Sequence, residues 1–403
     1  MIQAAGPGAR LEELLAEGEP AAARREREAF DRAAHPFADR IVIYGAGALG
    51  QRTLNGLRAN GLDALAFTDR SPAAWSRKIG GLRVLSPEDA AREFGSEAAF
   101  VIAVWHPAAS GGMSAIAAGL TALGCCRVLP LVWLYWKFPG TFLPHYLWDL
   151  PSRVLRSASE VRQAYTIFEG RRSQAEFLRQ IELRLTGDAG RVRAPDGETQ
   201  YFPSRLFRPR EDECFIDCGA FHGDTATEFA DWTGGRFRSA WAFEADPSNF
   251  EALERTVAAD SRLRGRVCAR REAVGARRSK VRFTGSGLSG SAISESGDIE
   301  VDCVRLDDAL AGEAPTYVKM DIEGAELDAL QGASGILSQN RPLLAICAYH
   351  AQDHLWRIPL FLQTLEPAAQ FALRMYRVDG FDLVCYAIPS DRVANAPSEE
   401  AQT

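Results

Sequence analysis

The sequence predicts an α/β protein of two domains, each built around a parallel sheet, and three patterns carry that expectation. Short apolar runs alternate with helical stretches between Arg40 and Pro130, and the alternation resumes at Glu213. Strands separated by helical patterns indicate βαβ units. Each series opens on a strand followed by a glycine-containing turn. At 403 residues the chain exceeds one domain of ordinary size, so two domains and a connector fit the length.

Residues 1–36 form an N-terminal helical segment. The stretch 8–34 is rich in Ala, Glu, Arg and Leu, with Leu11, Leu14 and Leu15 on one side, and reads as one amphipathic helix or two, suited to packing or to homo-oligomer contacts. The first Rossmann-like domain spans 37–130, with strands at 41–44, 64–68 and 100–105 and helices at 48–59, 87–94 and 113–123. Residues 131–187 are a largely helical connector, too apolar for a loose linker, and the apolar run 128–138 reads as a buried strand and loop.

The second Rossmann-like domain covers 188–390, with strands at 214–218, 240–243, 267–273, 317–320 and 343–349. Two β-rich runs follow, 371–378 and 381–388, joined by Asp379-Gly380. That pair suits a two-residue type I′ turn, because both positions need positive φ. Five parallel strands closed by such a hairpin give a doubly wound, seven-stranded sheet with an antiparallel last strand. The polar tail 391–403 is expected to be disordered.

Composition narrows the function classes. A net charge of −7 lacks the basic excess of a nucleic-acid binder, so a small-molecule or glycan substrate is expected and a polyanionic partner is not. No apolar run is long enough to span a bilayer, and the acidic start of the chain resembles no signal peptide. The eight cysteines form no spaced metal or disulfide pattern, which suits a reducing cytoplasm.

The chemistry is concentrated in the second domain. In Phe215-Ile-Asp-Cys-Gly-Ala-Phe-His-Gly-Asp-Thr225 an acid ends a strand, glycines follow and a helix begins. Glycines there let backbone N–H groups approach a ligand at the sheet's C-terminal edge. Asp217 and Asp224 beside the turn would repel a pyrophosphate and attract a cation. The next strand ends in Ala242-Phe-Glu-Ala-Asp-Pro247, where Glu244 can accept hydrogen bonds from a ribose diol while Asp246 or Ser248 caps the following helix. After the fourth strand, Lys319, Asp321, Glu323 and Glu326 crowd into eight positions, more charge than a helix start explains.

These runs, FIDCGAFHGDT, AFEADPSNFEAL, VRLDD, YVKMDIEGAELDALQGA and PLLAICAYH, occur in an order and at intervals that resemble the FkbM-type methyltransferase family. The resemblance covers roughly 213–350. It implies an S-adenosylmethionine-dependent methyltransferase that methylates a hydroxyl of a sugar, glycan or related small molecule. It also implies that Asp217, Gly219, Gly223 and Asp224 line the methionine end, Glu244 holds the ribose, and Asp321 with Glu323 sits beside the transferred methyl. Phe221 stands where the family often carries Asn; it, Thr225, Asn249 and Ala273 complete the expected cofactor-binding set.

Methyl transfer to an alcohol requires alignment of oxygen, methyl and sulfur and removal of the alcohol proton. His350, at the end of the fifth strand, is the first candidate base, with Asp321, Glu323 and Lys319 as catalytic partners and His222 and His354 as weaker alternatives. Asp321, Glu323, Glu326 and His350 could equally supply ligands for a divalent metal such as Mg²⁺, and the spacing does not decide it. The Ser-rich stretch 285–293 offers Ser289 and Ser291 as further candidates beside the cofactor.

In the first domain, Tyr44-Gly-Ala-Gly-Ala-Leu-Gly50 follows a strand and opens a helix, and Asp69 ends the next strand. Gly45, Gly47, Gly50 and Asp69 are therefore candidate ligand contacts. The domain resembles nucleotide-sugar-binding Rossmann-like domains; a nucleotide sugar, a dinucleotide and a purely structural role remain open. The competing functions are an NAD(P)-dependent oxidoreductase using this domain and a non-catalytic nucleotide-binding protein.

Overall fold

The structure, a computed structural model, describes residues 7–104, 111–191, 197–283 and 299–394. The chain divides into two compact units. The first comprises Met1–Ala158, Leu178–Pro195 and Arg377–Phe381; the second comprises Ser159–Phe177, Asp196–Tyr376 and Asp382–Thr403. Both are mixed α/β with mainly parallel sheets, the class that the alternating patterns predict.

In the first unit, strands β1 (Ile41–Tyr44), β2 (Ala64–Thr68), β3 (Lys78–Ile79), β4 (Leu82–Leu85), β5 (Ala99–Ile102) and β6 (Val128–Pro130) form one sheet in the order β3-β4-β2-β1-β5-β6. All neighbours are parallel except β3 and β4. β1 is the central strand and is buried on both faces, which is why it reads as an unbroken apolar run. Ile41, Ile43, Phe67, Val101 and Leu129 join Leu54 and Leu57 of the helix Ala48–Ala59 in the core. Each such side chain contributes about 1.5–3 kcal/mol through burial.

Three local expectations are corrected here. The strand expected over 100–105 ends at Ile102, and Trp105 lies outside the described residues. The run 128–138 is a short strand followed by the helix Leu131–Lys137, because Pro130 cannot donate to a ladder and takes the helix N-cap instead. Strands β3 and β4 escaped the reading, although Gly80 and Gly81, at φ 56° and 86°, are a two-residue hairpin loop of the kind that needs two positive φ values. The N-terminal segment forms two helices, Pro7–Leu15 and Glu19–Ala34, separated where Gly18 adopts φ 77°.

In the second unit, β7 (Cys214–Cys218), β8 (Ser239–Phe243), β9 (Val267–Arg270), β13 (Tyr317–Met320), β14 (Leu343–Cys347), β15 (Gln370–Met375) and β16 (Leu383–Ile388) form a seven-stranded sheet. Its order is β15-β16-β14-β13-β7-β8-β9. β16 runs antiparallel to both its neighbours, β14 and β15; the remaining pairs are parallel. A separate three-stranded sheet contains β10 (Ala273–Val274), β11 (Ser279–Phe283) and β12 (Ile299–Val304). The single strand expected over 267–273 is thus two strands in two sheets, and Ala273 pairs with Cys303.

The loop between β15 and β16 is longer than two residues. Tyr376 N–H still donates to the Asp382 carbonyl, and the chain then makes a short 3₁₀ turn over Val378–Gly380. Asp379 and Gly380 both take positive φ, 62° and 87°, as their residue types anticipate, but within this wider turn. Among the described residues, no helix is long and apolar enough to cross a membrane. All eight cysteines are free.

Candidate functional site

The candidate site of the second unit lies at the C-terminal ends of the neighbouring strands β8, β7, β13 and β14. β7 leaves the sheet through Gly219, at φ 82°, where an added Cβ would stand 1.9 Å from the carbonyl oxygen of Asp321. Glycine is required there twice over, by conformation and by close approach of the two strand ends. Two residues on, Phe221 also takes a positive φ, 47°, unusual for a bulky side chain. Its backbone N–H donates to Glu244 Oε2 at 2.8 Å, while Glu244 Oε1 accepts from Asp246 N–H at 2.8 Å.

Glu244 therefore ties the loop after β7 to the loop after β8. Burial raises its pKa to about 7 despite those two N–H donors and the charge of Lys319. Asp246 caps the helix Pro247–Ala259, accepting from Ser248 and Asn249 N–H. The Asn249 Oδ1 lies 3.1 Å from His222 Nε2, and the His222 ring stacks on Phe221 at 3.7 Å between centroids. Gly223, at φ 86°, begins the helix Asp224–Trp232, in which Asp224 is exposed and Thr225 buried.

Beneath the loop sits an ion pair. Asp217 on β7 and Lys319 on β13 are register partners, with Lys319 Nζ 2.9 Å from Asp217 Oδ1 and both side chains 2% exposed. Lys319 Nζ also donates to the Gly219 carbonyl at 2.6 Å. The expectation that Asp217 faces a ligand and that Lys319 acts catalytically does not fit this enclosure: each is turned to the other, and together they hold the glycine loop from below. Burial raises the Asp217 pKa to about 6, with Lys319 opposing the rise. The charge of Lys319 acts on Glu244 as well, and that of Asp321 on Lys319, so one ammonium is coupled by charge to all three strand-end carboxylates.

Beyond β13, Asp321 is half-buried, and its Oδ2 accepts from the Tyr201 hydroxyl at 2.7 Å. Its Oδ1 lies 3.3 Å from His350 Nε2. Glu323, at φ 55°, brings Oε2 to 3.9 Å from the same nitrogen. On the other side of the ring, His350 Nδ1 meets Glu326 Oε1 at 2.7 Å. Glu326 is fully buried; Oε1 also accepts from Ile322 N–H at 2.9 Å, and Oε2 is 3.2 Å from His354 Nδ1.

Burial alone would lower the His350 pKa, but the charge and hydrogen bond of Glu326, then Asp321 and Glu323, outweigh it and raise the pKa to about 9. These surroundings favour the protonated imidazole at neutral pH. Burial opposes ionisation of Glu326, yet the two histidines hold its pKa well below the usual carboxylate range. Asp321, Glu326 and His350 each offer a donor atom, all within 4.8 Å of one another, so the same cluster could hold a metal ion.

One participant had no sequence signal, and a second was named only as a weaker alternative base. Tyr201 lies 120 positions from Asp321, is buried, and places its ring 5.1 Å from Lys319 Nζ. His354 contributes to the Glu326 network from the first turn of the helix His354–Leu365. Ala273, by contrast, lies in the small sheet, and Ser289 and Ser291 lie outside the described residues.

The glycine loop of the first unit is also built. An added Cβ at Gly50 would stand 1.9 Å from the Gly45 carbonyl oxygen, and one at Gly45 would stand 2.6 Å from the Ala103 carbonyl oxygen, so these two glycines serve packing. Gly47 meets nothing within 4 Å. Asp69 Oδ2 accepts from Ala46 N–H and Oδ1 from Ser71 N–H, both at 2.8 Å. The acid expected to contact a ligand instead joins its own loop to that of β1.

Residues 217–371 match a family model described as the methyltransferase FkbM domain. No curated protein matches the chain significantly. A crystal structure of methyltransferase FkbM from Methylobacillus flagellatus KT is similar over 94% of this chain and 100% of that one, with a TM-score of 0.75 and 23% identity, a likeness of fold. A UDP-D-quinovosamine 4-dehydrogenase from Vibrio fischeri matches 23% of this chain and 76% of its own, at 24% identity and a TM-score of 0.19. A precorrin-6y C5,15-methyltransferase from Geobacter metallireducens GS-15 matches 46% and 84%, at 14% identity and a TM-score of 0.29.

Proposed function

With an FkbM methyltransferase domain at residues 217–371 as the premise, we propose that the protein is an S-adenosylmethionine-dependent O-methyltransferase acting on a hydroxyl of a sugar, glycan or related small molecule. The observation that carries this reading is that Glu244 and Asp321, at the C-terminal ends of β8 and β13, flank the Gly219 loop that leaves β7 between them. The residues fit the cofactor. A carboxylate offers about four lone-pair sites, and Glu244 uses two on backbone N–H groups, which leaves two for a ribose diol. Asp321 and Glu323 put negative charge, partly open to solvent, where a positive sulfur is favoured.

When bound, S-adenosylmethionine supplies a methyl group on a positively charged sulfur. The chain's own part is to align the acceptor oxygen and to take its proton as the O–C bond forms. Asp321 and Glu323 are the accessible carboxylates for that proton. His350, protonated and fixed by Glu326, orients both as a positioning residue. Tyr201 fixes the other oxygen of Asp321.

A second reading is favoured by the three convergent donors Asp321, Glu326 and His350: a divalent metal held there would bind and polarise the acceptor hydroxyl. Metal binding would require His350 to lose its proton, so metal affinity would fall as the pH is lowered.

Calorimetry with S-adenosylmethionine and its demethylated product, followed by transfer of labelled methyl to a panel of sugars and glycans with and without a chelator, tests both readings. Binding of both ligands and labelling of an acceptor oxygen are expected. Absence of binding, or methylation at carbon or nitrogen only, overturns the proposal, and transfer untouched by the chelator removes the metal.

A further inference from the structure

The first unit contains a cavity of ≈ 330 Å³ lined by Tyr44, Asp69, Arg70, Ser71, Val104 and Ile116. It lies beyond the C-terminal ends of β1, β2 and β5. β1 is flanked by β2 on one side and β5 on the other, so the strand order reverses there, the place where open parallel sheets take ligands. Its volume is at the small end of ligand sites and suits a nucleoside-sized molecule.

The lining combines apolar walls with two polar groups, the Tyr44 hydroxyl and the Arg70 guanidinium, that make no hydrogen bond among the described residues. Val104 and Ile116 supply apolar surface. Tyr44 is 5% exposed, and its hydroxyl has no hydrogen-bond partner among the described residues. Arg70 makes no ion pair or hydrogen bond among the described residues, although its charge is felt at the Tyr44 phenol. Asp69 makes no ion pair with it; its two oxygens accept from the N–H groups of Ala46 and Ser71.

The start of the helix Ala48–Ala59 points the same way. Its N-cap, Gly47, has φ −81°, and no side chain caps the helix. Neither backbone conformation nor packing requires glycine there, since a Cβ would meet nothing within 4 Å. Close approach of an anion to a helix N-terminus is what a bare glycine permits.

We propose that this cavity binds a nucleoside phosphate, with Arg70 and the Tyr44 hydroxyl holding its anionic part and Val104 and Ile116 facing its base. The phosphate charge is the group this site recognises.

Calorimetry on the full-length protein with NADP⁺, NAD⁺, ADP and UDP-glucose, for the natural sequence, Arg70→Gln and Tyr44→Phe, tests this. Arg70 is exposed, so Arg70→Gln keeps the fold, and an unchanged thermal midpoint verifies that. At least one of the four ligands is expected to bind, weakened about tenfold or more by Arg70→Gln and less by Tyr44→Phe. A preference for NADP⁺ over NAD⁺ identifies a ribose phosphate as the recognised group; ADP or UDP-glucose binding as well as NADP⁺ identifies the diphosphate. If none of the four binds the natural protein, or if Arg70→Gln binds equally well, the proposal is overturned.

Discussion

Replacing Glu326 by Gln removes the charge that keeps His350 protonated while preserving the shape of the side chain. Glu326 is fully buried and meets His350 Nδ1 at 2.7 Å. Burial pulls the His350 pKa down, but Glu326, then Asp321 and Glu323, raise it from 6.5 to about 9. A rise of that size favours the protonated form by about 3 kcal/mol. Below pH 6.5 His350 is charged in both the folded and the unfolded chain, and this stabilisation is fully present. It declines as the pH rises, and is lost on passing through about 9, where the folded protein also gives up the proton. Glu326→Gln should therefore be about 3 kcal/mol less stable than the natural protein at pH 6, with the gap closing towards pH 9.5. Urea unfolding of both proteins across that range measures the gap, and an NMR titration of His350 reads its pKa directly. A gap that does not change with pH, or a His350 that titrates near 6.5 in the natural protein, refutes the reasoning.

Lys319→Met should cost about 3–5 kcal/mol by leaving the buried Asp217 carboxylate uncompensated, and Asp217→Asn added to it should recover much of the loss; urea unfolding of the single and double variants checks this. Glu244 has a pKa of about 7, and its ionised form is the better acceptor for ribose hydroxyls, so affinity for S-adenosylmethionine should rise as the pH increases through 7. Calorimetry between pH 6 and 8.5 should show that rise disappear in Glu244→Gln.

Legibility in the sequence depended on how local each signal was. β1, β2, β7 and β13 could be read because each is a short, mostly apolar and largely buried run followed at once by Gly or Asp. The glycine turn after β7 and the acid after β8 were legible for the same reason. The Asp217–Lys319 pairing was not: the charges stood out, but only the register of β7 against β13 sets them face to face and out of solvent. Tyr201 was invisible because nothing within ten residues of it hints at a contact 120 positions away. The spacing of Asp69 matches a ribose acid, but its bonds to Ala46 and Ser71 N–H depend on how the two loops fold, which spacing does not show. The proton on His350 depends on three carboxylates brought together in space, which no motif encodes.

The interleaving of the two units along the chain has a practical side. A fragment cut to start at Asp196 would discard Ser159–Phe177, which the second unit includes, and would retain Arg377–Phe381 without the rest of the unit to which those residues belong. A fragment ending at Ala158 would lack Leu178–Pro195 and that same short piece. Neither half can be obtained by a single scission, so recombinant truncations are poor tools for assigning activity to one half, and point substitutions in the intact polypeptide are the sound route.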